Sequence, residues 1–156
     1  MLLIHEAHAQ PAGAQAQILF EEAKQLRNGG KIAEACELFD ASGKLDPTIV
    51  TTLNRADCRE RNHQIASAYG LFLEVVRNTR GSIDPRIQEF FRIAEEHAAA
   101  LAPRLSTLLL TVSQEAQMNG LEILRGEDVI DRALWNKTLP VDGGVYVIRA
   151  RAPGNT

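Results

Sequence analysis

The sequence predicts an α+β fold, in which two helical hairpins and a capping helix precede a small antiparallel β-sandwich-like module. The first observation is a spaced repeat. Ala35-x3-Phe39 recurs 33 positions later as Ala68-x3-Phe72, and each copy lies in a stretch of helical periodicity. The second is a change of period at Ser106, after which apolar residues alternate with their neighbours. Alanine is abundant and aromatic residues make up only 5%, which suits closely packed helices.

Composition and charge exclude some classes of function. The 156 residues are 45% hydrophobic and 24% charged, as in an ordinary globular chain. The net charge of −3, without a run of Lys and Arg, argues against a nucleic-acid partner, because phosphate binding needs a basic surface. No apolar stretch approaches the ~20 residues that span a bilayer, so no transmembrane segment is expected.

Residues 1–13 are interpreted as a leader and are expected to be disordered. Ala7–Ala9 has the small-x-small form of a signal-peptidase site, but the apolar stretch before it, Leu2–Ile4, is short and follows no basic region. Two interpretations stay open. A remnant of a secretory signal places the protein in the periplasm or cell envelope, whereas a leader with chance alanines leaves it cytoplasmic.

Residues 14–103 are expected to form the helical domain. The first hairpin has helices over 14–27 and 31–44, separated by Asn28–Gly30, where glycine adopts the left-handed conformation that ends a helix. The 3.6-residue period sets the inward positions of each helix. These are Ile18, Leu19, Ala23 and Leu26 in the first helix, and Ile32, Ala35, Cys36 and Phe39 in the second.

The second hairpin has helices over 47–61 and 64–80, with Asp46-Pro47 as N-cap and first-turn proline. Asp84 and Pro85 open a fifth helix in the same way, and it caps the exposed end of the second hairpin before Pro103. The inward positions are Val50, Leu53 and Ala56, then Ile65, Ala68, Tyr69, Phe72 and Val76, and finally Ile87, Phe90, Phe91, Ala94, Ala98 and Leu101.

Residues 104–156 are expected to form the β module. One strand carries Leu108, Leu110 and Val112, and short strands around Leu121, Ile123 and Val129 are divided by Gly120 and Gly126. A last strand with Val145, Val147 and Ile148 follows the turn at 142–144. Since a module of about 50 residues rarely holds its own core, we expect it to lean on the fifth helix.

The first half resembles a tetratricopeptide repeat protein. The first repeat matches that family's register at Leu19, Ala23, Leu26, Gly30, Ala35, Phe39 and Pro47, and the second at Leu53, Ala56, Ala68 and Phe72. The resemblance implies antiparallel helix pairs that bind other proteins. It also implies that Ala35, Phe39, Ala68 and Phe72 form the structural core of the repeats.

The second half resembles a PEGA-type β domain. The matching segments are 120–123, the turn at 125–127, and then 138–140, 142–144 and 152–154. The whole chain is similar to tetratricopeptide–PEGA proteins of the proteobacterial envelope, in which A-C-x2-F, L-D-P and A-D-C recur. Those strings stand here at 35–39, 45–47 and 56–58. In that family a further strand follows the Ala-Pro-Gly turn, so the β module is expected to be incomplete.

Cys36 and Cys58 are the only cysteines, 22 positions apart on neighbouring antiparallel helices. They lie at similar distances from the turn at Asp46, which places them at similar heights because each residue rises ~1.5 Å. A disulfide is therefore expected if the protein is exported. The alternative is two buried free thiols that pack as small hydrophobic groups.

Other candidate residues do not predict chemistry. His5 and His8 lack the i, i+4 spacing of a helical zinc site, and His97 is interpreted as a boundary residue rather than a base. Adjacent acidic residues point apart on a helix, so such pairs are solvated faces. Trp135 is expected in the β core, with an exposed contact role as the alternative. No catalytic residue, cofactor or metal is expected.

The leading functional hypothesis is a non-catalytic interaction or scaffold protein of the bacterial cell envelope, with unknown protein partners. The second is a cell-wall or carbohydrate-binding module that acts through the β domain, and the third is an enzyme. If the β module lacks a strand, residues 145–151 or a neighbouring strand present an unpaired edge. Such an edge predicts self-association through the β half, since exposed edges recruit other strands.

Overall fold

A computed structural model describes residues 12–153, and it has the predicted α+β architecture. Five helices come first: α1 (Ala12–Asn28), α2 (Ile32–Leu45), α3 (Ile49–Arg61), α4 (Ile65–Thr79) and α5 (Pro85–Leu101). Five short strands follow: β1 (Ser106–Leu109), β2 (Glu122–Arg125), β3 (Asp128–Ile130), β4 (Thr138–Val141) and β5 (Ile148–Arg151). Among the described helices, none is both long and apolar enough to cross a membrane.

The helices pack in sequence order, each against the one before it. One buried cluster lies between the α1–α2 hairpin and α3 and consists of Ala23, Ala35, Cys36, Phe39 and Cys58. The α3–α4 hairpin and α5 enclose a second cluster, which consists of Ala56, Ala68, Phe72, Val75, Val76, Ala94, Ala98 and Leu101. Alanines make up two of the five residues in the first cluster and four of the eight in the second, which lets the helix backbones approach closely. As expected, α5 covers the outer side of the second hairpin.

The two Asp-Pro signals have different outcomes. Asp84 caps α5 as predicted, because its carboxylate accepts the N–H groups of Arg86 and Ile87 and Pro85 occupies the first turn. The same prediction for Asp46 and Pro47 is wrong. The N-cap of α3 is Thr48, whose hydroxyl accepts the N–H of Thr51 at 3.1 Å. The backbone N–H of Asp46 instead ends α2 by donating to Ser42.

Two predicted inward residues face solvent. Ile18 is 61% exposed and Val50 is 42% exposed. On α1 the buried position near Ile18 belongs to Ala16, whose carbonyl accepts the hydroxyl of the buried Ser42 at 2.9 Å. A small residue at position 16 allows α2 to approach α1 there. Packing against the neighbouring helix therefore rotates the inward face of α1 away from Ile18.

The β module contains two small antiparallel sheets. β1 pairs with β4, and β2 lies between β3 and β5. The alternation predicted around β1 is present, because Leu108, Leu110 and Val112 are more buried than their neighbours. Their partner strand β4 was not predicted as a strand. Its Pro140 is tolerated because, among the described strands, β4 pairs on one side only, and proline lacks the N–H that a central strand needs.

The last strand begins later than predicted. β5 starts at Ile148, while Val145 and Val147 precede it and are 96% and 54% exposed. β5 pairs with β2 so that Ile148 lies opposite Arg125 and Ala150 opposite Ile123. Between residues 12 and 153, no strand pairs with the other side of β5. The predicted unpaired edge is therefore present in the described chain.

The β core is a cluster of Val112, Ile123, Ile130 and Trp135. Trp135 is 6% exposed, so its expected core position is confirmed. Asn136, in the left-handed conformation with φ of 58°, holds the non-strand segment that follows β1. Its side chain accepts the N–H of Val112 at 2.7 Å and donates to the carbonyl of the same residue at 3.0 Å. This pairing substitutes for strand hydrogen bonds where the β1–β4 ladder ends.

We expected the β module to lean on α5. In the structure it is joined to the helices through α4 instead. The first turn of a helix leaves main-chain N–H groups without partners inside the helix. The N-cap of α4, Gln64, makes no side-chain capping hydrogen bond. Asp142, just after β4, supplies the missing acceptor to Ser67 in that turn. Asp142 contacts α4 because the first turn of that helix needs a hydrogen-bond acceptor. The periodicity of the sequence does not reveal this need.

Candidate functional site

The residues of the sequence repeat form the core and not a binding surface. Ala35, Phe39 and Ala68 are fully buried, and Phe72 is 1% exposed. Each phenylalanine lies in a different helical cluster, as the repeat predicts. Any site on the helical half therefore has to be built from the polar side chains around these core positions.

A groove of about 230 Å³ opens between α1, α3 and α5. α3 forms its centre, with Arg27 of α1 at one side, Ile93 and His97 of α5 at the other, and the buried Phe72 of α4 beneath. The lining residues are Arg27, Leu53, Asn54, Asp57, Phe72, Ile93 and His97. The first, third and fifth helices thus line the same side of the helical domain, because each helix pair packs on the next in the same orientation.

A network of charged side chains crosses the groove between α1 and α3. Arg27 donates to Asn54 at 2.9 Å and to Asp57 at 3.3 Å, and its guanidinium lies 5.3 Å from the ring centre of Phe39. Asp57 is also paired with Arg61 at 2.9 Å. Since Arg27 is only 19% exposed, these contacts hold it in place. The groove presents a fixed guanidinium beside a carboxylate.

The opposite wall of the groove contains a second group of polar residues. Nδ1 of His97 lies 2.8 Å from a carboxylate oxygen of Glu60, and Arg104 approaches the same carboxylate at 3.8 Å. The imidazole stacks on Phe72 with ring centres 4.7 Å apart. His97 is therefore oriented by the core below it and by α3 beside it. This agrees with the expected boundary position between core and surface.

A separate ion cluster joins α2 to α3. Asp40 accepts hydrogen bonds from Arg55 at 2.7 Å and from Arg59, which also reaches Glu37. Burial by itself raises the pKa of Asp40, but hydrogen bonds from Arg55 and Arg59 outweigh it and hold the pKa below its ordinary value. Gly43 leaves room for this crossing, because an added Cβ would lie 3.0 Å from Arg55.

The two cysteines lie where the sequence places them. Cys36 on α2 and Cys58 on α3 have their sulfur atoms at disulfide distance, with Cα atoms 5.5 Å apart. Both residues are fully buried in the first helical cluster. The pair links the two hairpins by joining α2 to α3, and α1, which packs on α2, lines the groove beside α3.

A second cleft, of about 560 Å³, lies between the start of α4 and the β module. Asp142 and Ser67 form one wall, and Arg125, Asp128 and Tyr146 line the other. Tyr146 donates its hydroxyl to the carbonyl of Asp142 at 2.6 Å, and Arg125 lies 5.6 Å from its ring centre. One face of the Tyr146 ring is thus covered by a guanidinium.

An apolar groove of about 710 Å³ lies beside the free edge of β5. Val112, Leu121 and Ile123 extend into it from the β core, and Ala150 and Ala152 form the β5 side. Ala150 on the edge strand and Ala152 just after it are small, so the core stays open at this side. Nearby, Gly120 packs closely against Pro153, where an added Cβ would meet the proline ring.

The remaining candidates are solvated or lie outside the described residues. His5 and His8 belong to the segment that the structure does not describe. Within residues 12–153, no group of three or more His, Cys, Asp and Glu side chains is placed to hold a metal. The acidic pairs of the helices and of the β2–β3 turn are exposed, and several members form surface ion pairs, such as Glu21 with Lys24 and Glu127 with Arg149.

Sequence reasoning did not identify the groove residues. Arg27, Asn54 and Asp57 each look like an ordinary surface residue, and they are separated by up to 30 positions. A usable signal was present in the period, because polar residues at 54, 57 and 61 recur every three or four positions on one stripe of α3.

No protein-family model, curated protein or solved structure matches this chain.

Proposed function

We propose that this chain is a non-catalytic interaction or scaffold protein of the bacterial cell envelope, which binds a protein partner between α1, α3 and α5. The observation that supports this most directly is the groove with Arg27 and Asp57 side by side. A fixed guanidinium and a neighbouring carboxylate can pair with the main chain and side chains of a peptide segment. Both side chains are held in place by hydrogen bonds and ion pairs within the helical domain, which suits them to binding a segment of a partner.

Placement in the envelope is part of the same proposal. Disulfides persist in oxidising compartments such as the periplasm and are rare in the cytosol. The distance between Cys36 and Cys58 supports such a compartment, and so does the leader-like start of the chain. A protein partner also agrees with the net charge of −3, which disfavours nucleic acid.

Site-specific photo-crosslinking tests the groove. A photoreactive phenylalanine analogue replaces Ile93, which lines the groove, in cells that produce the full chain. The matched control replaces Ile83, which is 93% exposed in the loop between α4 and α5. We expect a discrete crosslinked protein from position 93 only, and its loss when Arg27→Glu is added. The proposal fails if both positions crosslink the same proteins or if neither does.

A second candidate function is cell-wall or carbohydrate binding by the β module. The cleft with Tyr146, Arg125 and Asp128 supports it, because sugars stack on aromatic rings and pair with charged side chains. Trp135 has a larger aromatic ring than Tyr146, but it is buried and does not offer a surface on which a sugar could stack. Co-sedimentation of the full chain with purified sacculi tests it, and Tyr146→Ala should abolish retention that is specific to this cleft.

A further inference from the structure

The free edge of β5 exposes a defined set of backbone groups. The N–H of Gly126 donates to the carbonyl of Val147 at 2.9 Å, which makes residues 126 and 147 a hydrogen-bonded pair. Such pairs alternate along an antiparallel ladder, so Arg149 and Arg151 also turn their backbone groups toward β2. Those of Tyr146, Ile148 and Ala150 point away from β2, and no other residue between 12 and 153 bonds to them.

From this edge we infer that two copies of the chain associate through β5, antiparallel about a two-fold axis at Ile148. In this register Ile148 lies opposite Ile148 of the second copy, and Tyr146 lies opposite Ala150. The outward N–H and C=O groups of these residues pair with each other. The result is a continuous six-stranded sheet in which β5 is no longer an edge.

Charge disfavours the two registers in which the axis lies further along β5. A two-fold axis at position 149 or at Ala150 also brings the outward backbone groups together. The first places Arg149 directly opposite itself, and the second places Arg149 opposite Arg151, and like charges in opposed pairs destabilise a sheet. With the axis at Ile148, the arginines lie opposite Val147 and Val145 instead. They also keep their own partners, Glu127 at 3.1 Å and Glu122 at 2.6 Å.

Shape supports the same register. Ala150 leaves the apolar groove beside β5 open, and its opposite residue in the second copy is the larger Tyr146. Directly opposed residues project from the same face of a sheet, so the tyrosine ring borders this groove in the pair. Val145 and Val147, 96% and 54% exposed in one copy, come to lie against the arginine stems of the other. Because the patch is short, the association is weak and depends on concentration.

Sedimentation equilibrium of the purified full chain tests the inference. The mass should rise from 17.2 kDa toward that of a pair as concentration increases. Ile148→Pro removes the outward N–H and leaves the hydrogen bonds to β2, since proline is accepted where the N–H of an edge strand faces outward. We expect it to weaken association by about tenfold or more, because the two-fold axis doubles each lost contact.

Matched lysine variants identify the edge. Ile148→Lys should abolish association, while Val129→Lys, at the other edge of the same sheet, should leave it unchanged. A single added cysteine then reports the register. Ile148→Cys should crosslink two copies under oxidation much faster than Ala150→Cys. A chain that stays monomeric at millimolar concentration, equal loss in both lysine variants, or faster crosslinking at 150 overturns the inference. These readouts use the purified chain alone and do not depend on an envelope partner.

Discussion

The carboxylate of Asp142, in the β module, accepts both the main-chain N–H and the hydroxyl of Ser67, in the first turn of α4, at 3.0 and 2.5 Å. The two residues are 75 positions apart. One side chain therefore completes the N-terminus of a helix and also joins the two halves of the molecule. Asp142 acts as a capping residue supplied from another module, where its charge also favours the positive end of the helix dipole.

Replacing Asp142 with alanine should destabilise the chain by about 1 kcal/mol, the usual effect of losing a helix cap. The β module should also loosen from α4, so amide exchange should increase at Ser67 and around residues 141–147. Urea denaturation and hydrogen exchange measure the two effects. Asp128→Ala is the matched control, because Asp128 lines the same cleft without such a hydrogen bond. An equal effect of both substitutions would contradict the capping role.

The sulfur pair predicts that the protein from an oxidising compartment has no reactive thiol under denaturing conditions. Alkylation followed by mass measurement should therefore add nothing before reduction and two groups after it. The bond closes a loop with a sequence separation of 22 residues, and the chain-entropy model gives it about 3 kcal/mol. Two alkylated cysteines before reduction would show that the pair is unbonded and would also count against an envelope location.

The repeat core predicts large losses on truncation. Phe39→Ala and Phe72→Ala should each cost about 3–5 kcal/mol, because both rings are buried and the cavities collapse only in part. Ile18→Ala should change the free energy of unfolding by less than about 0.5 kcal/mol, since Ile18 is largely exposed. Denaturant titration of the three variants makes the comparison. A loss under about 1 kcal/mol at both phenylalanines would disprove the shared role of the two repeats.

Acid should weaken the link between α2 and α3 through Asp40. The pKa of Asp40 is lowered in the folded chain, so its contribution to stability is present above the ordinary value of 3.8 and is lost as the pH falls through the folded value. Asp40→Asn should therefore destabilise the protein at neutral pH and lose less stability on acidification. The difference in the free energy of unfolding between Asp40→Asn and the parent chain should become smaller below about pH 4.

The control for this pH dependence is Ile18→Ala. Ile18 is 61% exposed and carries no titratable group, so its replacement removes no carboxylate. Free energies of unfolding at several pH values should run parallel for this variant and the parent chain. If Asp40→Asn also runs parallel to the parent, the ion cluster with Arg55 and Arg59 contributes nothing to pH-dependent stability.

The helices could be predicted closely because helix formation depends on residues three or four positions apart. Asp84 and Pro85 started α5 as expected, since the capping carboxylate and the N–H groups that it accepts lie within one turn. The same helix-start pattern at Asp46 and Pro47 did not begin α3, and the reason is equally local. Thr48, two positions later, offered a better-placed acceptor, and Asp46 was already used at the end of α2.

The candidate site could not be predicted from the periodicity of the sequence. Arg27 and Asp57 each have the character of a solvated helix residue, and their contact exists only because α1 and α3 lie side by side. An unpaired edge at residues 145–151 or a neighbouring strand was anticipated on the condition that the β module lacks a strand that its resemblance to PEGA-type domains implies. The register and outward backbone groups of β5 required the observed pairing with β2.

By itself, the sequence determined which segments are helical, where the period changes to that of strands, and which small and aromatic residues fill the helical cores. These properties follow from interactions within a few positions along the chain. The tertiary structure decided that Ile18 and Val50 face solvent, that β4 pairs with β1, and that Asp142 caps α4. Each of these depends on packing or hydrogen bonds between distant segments, whose free energy no single stretch of sequence contains.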